Sequence, residues 1–286
     1  GFIRNNADVP WFTWVHLFEP HAPYEGPDAT VDHRALMGTP DDAWTPEQVA
    51  ELRRLYALEV TEADALVGQL VATLKELELY DNTLIVVVSD HGEQLGEHGI
   101  HFHHHGLYDE SIRVPLVLHM PGKRVPYVKQ VDAQVRMMDI TPTILKYVKL
   151  DPLETEGFDL YGYSQGVREL SLVADLVGRT GSGLDAQCLA GLRTTSRKAP
   201  KEGEERSEEL RVKYIYNPAL DHGEFFNLSQ DPGEQTDISA EQTKAVAASH
   251  NRVLINLEDM DCGAGGQGVS ATERQALEAL GYIDAQ

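Results

Sequence analysis

With 46 acidic side chains against 24 basic ones, the 286-residue chain carries a formal charge of -22, and such a surface repels nucleic acid and anionic lipid. Its length allows one large domain, or one with a small appendage, and a sizeable buried core. No stretch is apolar for long enough to span a bilayer, the first residues carry neither an apolar signal core nor an initiating Met, and two cysteines, Cys188 and Cys262, are too few for a disulfide framework and lack a paired metal-binding spacing.

Taken in chain order, "WFTWVHLF" (11–18) is short, aromatic and β-branched, and it ends in the turn signal "EPHAPYEGP"; this predicts a buried strand followed by a loop. Thr45 as N-cap with Pro46 at the first helical position opens a long amphipathic helix, whose apolar residues recur at three- and four-residue spacing as far as Leu79. The continuous apolar run at 84–88 ends abruptly in polar residues, and "RVPLVLHMPG" (113–122) repeats that pattern. Strand, helix, strand argues for a parallel sheet flanked by helices. A second helix follows "DITPTILKYV", with Thr141 as cap and Pro142 as first helical residue. The charge-dense segment 194–211 reads as a loop without function, and "RVKYIYNP" and "GEFFNLSQDPGE" as two short strands with turns. The Gly-rich stretch 258–273 reads as mobile, and "TERQALEALGYI" as a short closing helix.

The chemistry concentrates in "VVVSDHGEQLGEHGIHFHHHGLYDESIRVP" (86–115), which holds six of the 12 histidines directly behind an apolar run. Ligands of open parallel sheets bind beyond the carboxyl ends of the strands, where Asp90 and His91 fall. A carboxylate oxygen beside an imidazole nitrogen can hold a divalent cation, and Gly92 lets the backbone turn so that the two converge. The stretch "SDHG" (89–92) also suits a plain turn in which Asp90 caps and His91 is merely exposed. His98, His101, His103, His104 and His105 follow; as a group they suggest metal or anion handling, and any one of the first three reads equally as a solvated histidine. His21, between two prolines in "EPHAPY", sits in a rigid loop from which it could face the same crevice.

These stretches, "WFTWVHLFEPHAPY", "LYDNTLIVVVSDHGEQLGEHG", "LYDESIRVPLVLHMPG", "VRMMDITPTIL" and "FFNLSQDPGE", resemble, in order and spacing, the consecutive motifs of the sulfatase family within the alkaline phosphatase superfamily. The resemblance implies an α/β fold with a mixed, largely parallel sheet between helices, expected over residues 1–190, and a small α+β subdomain with short strands and a terminal helix over 191–286. By the same resemblance Asp90 and His91 match two metal ligands, and His21 matches the histidine that contacts the sulfate or leaving-group oxygen. His105 matches a second basic residue near the ester. Many relatives have a Lys where this chain has His104, so His104 and His105 share that substrate-side assignment. Arg113 matches an arginine expected to make structural pairing.

The family's opening strand with paired aspartates, and its C/S-x-P-x-R nucleophile motif that becomes formylglycine, have no counterpart here; neither Cys188 nor Cys262 has the Pro and Arg. The expectation is a chain lacking roughly the N-terminal third of the family's domain, holding half an active site and inactive by itself. The function implied is metal-dependent hydrolysis of a sulfate monoester of a small molecule or glycan. Ca²⁺ is the first choice from the family, whereas His91, where relatives often present Asn, suits Mn²⁺ or Zn²⁺ better. That substitution gives weight to phosphodiester or phosphonate monoester hydrolysis within the superfamily. A non-catalytic histidine-rich metal-binding protein is the reading from another class. The compartment is not read from these residues; the resemblance, through many exported relatives, is compatible with a periplasmic or secreted location.

Overall fold

A computed structural model describes residues 1–26, 28–32, 43–103, 106–122, 130–131, 133–160, 172–179, 188–197 and 209–257. The chain forms two compact units: Gly1–His104 with Arg113–Tyr127, and His105–Ile112 with Val128–Gln286.

The first unit opens with the single turn α1 (Phe2–Asn5), followed by turns and then, over residues 10–18, no regular element. Residues 11–18 do not form the expected buried strand. Phe12 and Trp14 are 77% and 79% exposed, and no described segment pairs with this stretch. Its composition suits a sheet, but a strand needs a neighbour for its backbone groups and one apolar face to lay its side chains against. Helix α2 (Pro46–Glu76) is closed at its start by a reciprocal capping box: Gln48 N–H donates to Thr45 Oγ1, and Thr45 N–H donates to Gln48 Oε1 at 2.9 Å. It ends three residues before the apolar spacing does, because Glu78 turns left-handed (φ 57°) and Leu79 N–H closes back on the Leu74 carbonyl at 2.8 Å. Its Leu52 and Leu55 bury against Tyr24, with Trp44, Tyr56 and Leu95 packed around them.

Strands β1 (Ile85–Val88), β2 (Gln94–Leu95), β3 (His101–His103) and β4 (Leu116–His119) fall where the apolar runs and the loop between them lie. β1 and β4 pair antiparallel, with Val86 opposite Leu118 and Val87 opposite Val117, and β2–β3 is an antiparallel hairpin. Within the mixed sheet expected, this pair is antiparallel. A parallel neighbour requires a crossover that carries the chain back past the whole strand, whereas here the intervening chain returns through short elements and β4 runs against β1. The hairpin turn requires Gly96: its φ is 105°, and a Cβ there would lie 3.1 Å from both His101 Nε2 and Val49 Cγ1.

In the second unit, α3 (Asp109–Ile112) precedes α4 (Ile140–Val148). Asp139, with a fully buried side chain, replaces Thr141 as the residue before α4: its carboxylate accepts the Arg136 and Phe158 N–H groups at 2.8 and 2.9 Å. Thr141 and Pro142 lie in the first turn, where a missing N–H costs nothing. Strands β5 (Leu172–Arg179), β6 (Cys188–Arg197), β7 (Glu209–Asn217) and β8 (His222–Phe226) form one antiparallel sheet in sequence order, and α5 (Thr243–Leu257) follows. The sheet is covered on both faces. Ala190, Leu192, Tyr214, Tyr216 and Phe225 gather around Val253 of α5, and Leu189, Ile215 and Phe226 around Leu107 and Leu228.

The supposed loop 194–211 is strand at both ends, since Thr194–Arg197 extend β6 and Glu209–Arg211 begin β7, with Thr194 opposite Val212. Strand pairing overrides the local charge density there. The stretches 258–273 and 272–283 lie outside the described residues.

Beneath the sheet lies a charged cluster. Lys213, with 0% of its side chain exposed, places Nζ 2.5 Å from Asp109 Oδ1 and 2.8 Å from Glu234 Oε1. Arg193 donates from Nε and Nη2 to the two Asp109 oxygens at 3.1 and 3.0 Å. The Asp109 backbone N–H donates to Glu234 Oε2 at 2.6 Å. Burial pushes Asp109 up, but the Arg193 bonds and the Lys213 charge outweigh it and leave the carboxyl below its ordinary range. For Glu234 burial wins and the group is raised, with Lys213 opposing.

Candidate active site

Three of the expected site residues, His21, Asp90 and His91, lie in the first unit. His104 and His105 lie outside the described residues.

His21 sits in the turn after residues 10–18, its N–H donating to the Phe18 carbonyl at 3.0 Å and its ring 4.8 Å from that of Phe18. Its Nδ1 lies 2.7 Å from the Ala22 carbonyl. His91 repeats the device, with Nδ1 2.8 Å from the Gly92 carbonyl. A carbonyl only accepts, so Nδ1 carries the proton in both rings and Nε2 of the neutral imidazole keeps its lone pair. This is the tautomer a metal-ligating or proton-accepting Nε2 requires.

The turn that presents His91 is held by its own side chains. Ser89 Oγ donates to the His91 carbonyl at 2.6 Å, and His91 N–H donates to Asp90 Oδ1 at 3.0 Å. His91 Nε2 lies 3.9 Å from Asp90 Oδ1. Two metal-ligand bonds of about 2.1–2.4 Å together exceed that separation, so one cation can reach both. The donor set, one imidazole and one carboxylate, therefore fits a divalent ion, with Asp90 54% and His91 23% exposed on the side chain. Among the described residues no group of three or more His, Cys, Asp and Glu could hold a metal by itself.

Behind the two loops lies a contact absent from the expectations. Tyr24, three residues after His21, donates its hydroxyl to Glu93 Oε2, two residues after His91, at 2.6 Å. Tyr24 is 1% exposed, and burial with the Glu93 charge raises its hydroxyl pKa far above the ordinary range. Glu93 is itself raised, by burial first, against the lowering effect of the Tyr24 bond and the charges of His91 and His21. Both residues were in view as parts of "PHAPY" and "DHGE", but nothing in the sequence pairs them.

The histidine loop divides. His101 is 6% exposed and stacks on Trp44 at 4.8 Å, 8° from coplanar, which is a packing role. His98 occupies a left-handed position (φ 55°). Arg113 is exposed and makes no ion pair with a described residue, contrary to the structural pairing expected of it.

Comparison with solved structures defines the class as alkaline phosphatase-like α/β. A 2-O GAG sulfatase superposes with a TM-score of 0.60 at 20% identity, over 90% of this chain and 55% of that one. The phosphonate monoester hydrolase of Agrobacterium radiobacter gives 0.55 at 24% identity, over 76% and 43%. These are likenesses of fold. In sequence, arylsulfatase K of Gallus gallus is 34% identical over 170 residues, 59% of this chain and 29% of that protein. The sulfatase family profile matches residues 1–150, more than half of the 286, and the chain belongs to the sulfatase family. Matches to curated relatives span 18–34% of those proteins' lengths. Membership implies a divalent-metal site and, in general, a formylglycine nucleophile. No described helix is long and apolar enough to cross a membrane.

Proposed function

We propose that these residues supply the metal-binding and leaving-group side of a sulfatase that hydrolyses sulfate monoesters of a small molecule or glycan. The observation that carries the proposal is the Asp90–His91 turn, in which the Nδ1 bond to Gly92 fixes His91 with Nε2 3.9 Å from the Asp90 carboxylate, within a chain of this family. Asp90 and His91 hold the cation. His21, with its Nδ1–H committed to the Ala22 carbonyl, turns Nε2 to the leaving oxygen as the position where a proton is exchanged. His104 and His105 bind the ester group. A bound divalent cation would polarise an ester oxygen and lower the pKa of the attacking hydroxyl. Ca²⁺ is the first candidate, with Mn²⁺ and Zn²⁺ favoured by the nitrogen donor. Formylglycine is the nucleophile expected by family, and these residues contain no C/S-x-P-x-R motif for it. A periplasmic or secreted setting suits a glycan substrate.

His91 also supports a second reading, phosphonate monoester or phosphodiester hydrolysis, because a nitrogen ligand favours softer cations than Ca²⁺. The test is turnover of 4-nitrophenyl sulfate against a 4-nitrophenyl phosphonate ester by the natural gene product that contains this chain. A preference for the sulfate that is lost with Asp90→Ala supports the first reading. A preference for the phosphonate supports the second, and turnover unaffected by Asp90→Ala and His91→Ala overturns both.

A further inference from the structure

The Tyr24–Glu93 contact joins the two loops that carry the candidate chemistry. His21 and Tyr24 share one short loop, and His91 and Glu93 share one turn, so a 2.6 Å bond between Tyr24 and Glu93 closes the interval between them. Sequence places these loops far apart, with α2 and β1 between.

The two ends of the bond are anchored differently. On the Tyr24 side the ring is fixed: it packs on Leu52 and Leu55 of α2 and meets the Tyr56 ring edge-on at 5.4 Å and 72°. The next residue is fixed too, as Glu25 N–H donates to Glu59 Oε1 at 3.1 Å. On the Glu93 side the carboxylate takes the Tyr24 hydroxyl at Oε2 and a backbone bond from Gln94. Its Oε1 is buried and without a hydrogen-bond partner among the described residues. An unmet buried carboxylate oxygen costs free energy, so the presence of Glu93 here calls for a reason in what it holds. The α2 core thus supplies a rigid post, and the Tyr24 hydroxyl ties the metal-side turn to it.

We propose that Tyr24 and Glu93 are positioning residues for the reaction, a hydroxyl–carboxylate latch that fixes the His21 loop against the Asp90–His91 turn. The proposal rests on the functional reading above. The latch explains why a fully buried tyrosine hydroxyl and a half-satisfied acid meet behind these loops. It also assigns a distinct consequence to each atom: removing the hydroxyl loosens the loops but leaves the α2 core intact.

Tyr24→Phe deletes the hydroxyl and keeps the ring. Partners that orient metal ligands typically change affinity or activity by roughly 10–100-fold. In the natural gene product, Tyr24→Phe is therefore expected to lower kcat about tenfold or more, with KM changed less than about threefold. Glu93→Gln, which keeps an acceptor for the hydroxyl, is expected to retain more activity than Glu93→Ala. Tyr24→Phe combined with Glu93→Ala is expected to cost no more than Glu93→Ala alone.

Hydrogen exchange supplies a readout independent of turnover. Amides of residues 18–25 and 89–95 should exchange faster in Tyr24→Phe, while those of α2 keep their protection. If the unaltered protein turns over neither ester, the functional reading fails and the exchange pattern still decides the latch. Unchanged exchange in the two loops, faster exchange throughout α2, additive losses in the double variant, or kcat within twofold of the unaltered protein would each overturn the latch.

Discussion

Lys213→Met removes one of two cations from a cluster in which Arg193 and Lys213 balance Asp109 and Glu234. Methionine fits the volume, and the Arg193 fork still neutralises Asp109, so the group left unpaired is Glu234, 2% exposed. An ionised carboxylate there is costly, and its cheapest escape is to take up a proton. Holding that proton at pH 7 costs about 1.4 kcal/mol for each pH unit above the ordinary glutamate value near 4.3, roughly 3.7 kcal/mol as an upper bound, because burial already raises Glu234 with Lys213 in place. Breaking a buried pair typically costs about 3–5 kcal/mol, which agrees. The sign follows from a folded-state pKa raised above the unfolded one: the variant is least penalised below about pH 4.3 and loses stability as pH rises towards the raised value. At pH 5 the penalty should shrink to roughly 1 kcal/mol. Thermal melts at pH 5 and 7 measure it. At about 2–4 °C per kcal/mol for a domain of this size, the midpoint at pH 7 should fall by at most roughly 7–15 °C. Lys213→Met combined with Glu234→Gln should recover most of the loss and flatten its pH dependence. A loss below about 1 kcal/mol at pH 7, or equal losses at both pH values, would refute the reasoning.

Acid should destabilise the unaltered protein: the Arg54 bond and the Thr30 N–H hold Glu51 down to about 2, and Asp109 and Asp237 are also depressed. Their contribution is present above the ordinary carboxylate range and fades as pH falls through the depressed values, so the melting midpoint should drop most steeply between about pH 4 and 2. Gly157→Ala would drive a Cβ into the Met138 carbonyl and to within 3.3 Å of Pro142 Cγ; urea unfolding should show a loss of about 1–3 kcal/mol. His101→Ala should cost about 1–3 kcal/mol by removing the ring stacked on Trp44, and calorimetric titration with Mn²⁺ should give an unchanged affinity. A large drop in that affinity would restore the histidine loop as a metal site.

What could be read from sequence was what neighbouring residues decide among themselves. The start of α2 is a local bargain between Thr45 and Gln48, visible in four residues, and β7 and β8 lie in apolar runs broken by turn residues. Pairing is not local. The apolar composition of 85–88 and 116–119 marks strands, but their direction depends on how the chain returns, and the same composition at 11–18 yields no described strand at all. β5 and α5 escaped notice because "LVADLVGR" and "TKAVAASHNRVLINL" interrupt their apolar patterns with polar residues. Within the site, Asp90, His91 and His21 were legible through motif and resemblance. Tyr24 and Glu93 required the fold, and so did Lys213: a lysine amid "VKYIY" hints at a buried cation, but its carboxylates stand at Asp109 and Glu234, far away in the chain.

Residues 105–112 belong with the second unit although the chain on either side of them belongs to the first. Leu107 and Asp109 are integral to the interior of the β5–β8 sheet. For a ribosome delivering the chain from its N-terminus, this sets an order of events. The short segment emerges early and waits with an apolar side chain and an acid uncommitted, while the strands that receive them are still unmade. Closing so long a loop is slow by topology alone, and the exposed intermediate is the species a chaperone would meet. No single cut in the chain separates the units intact, because severing at 127/128 takes Leu107 and Asp109 from the sheet that needs them.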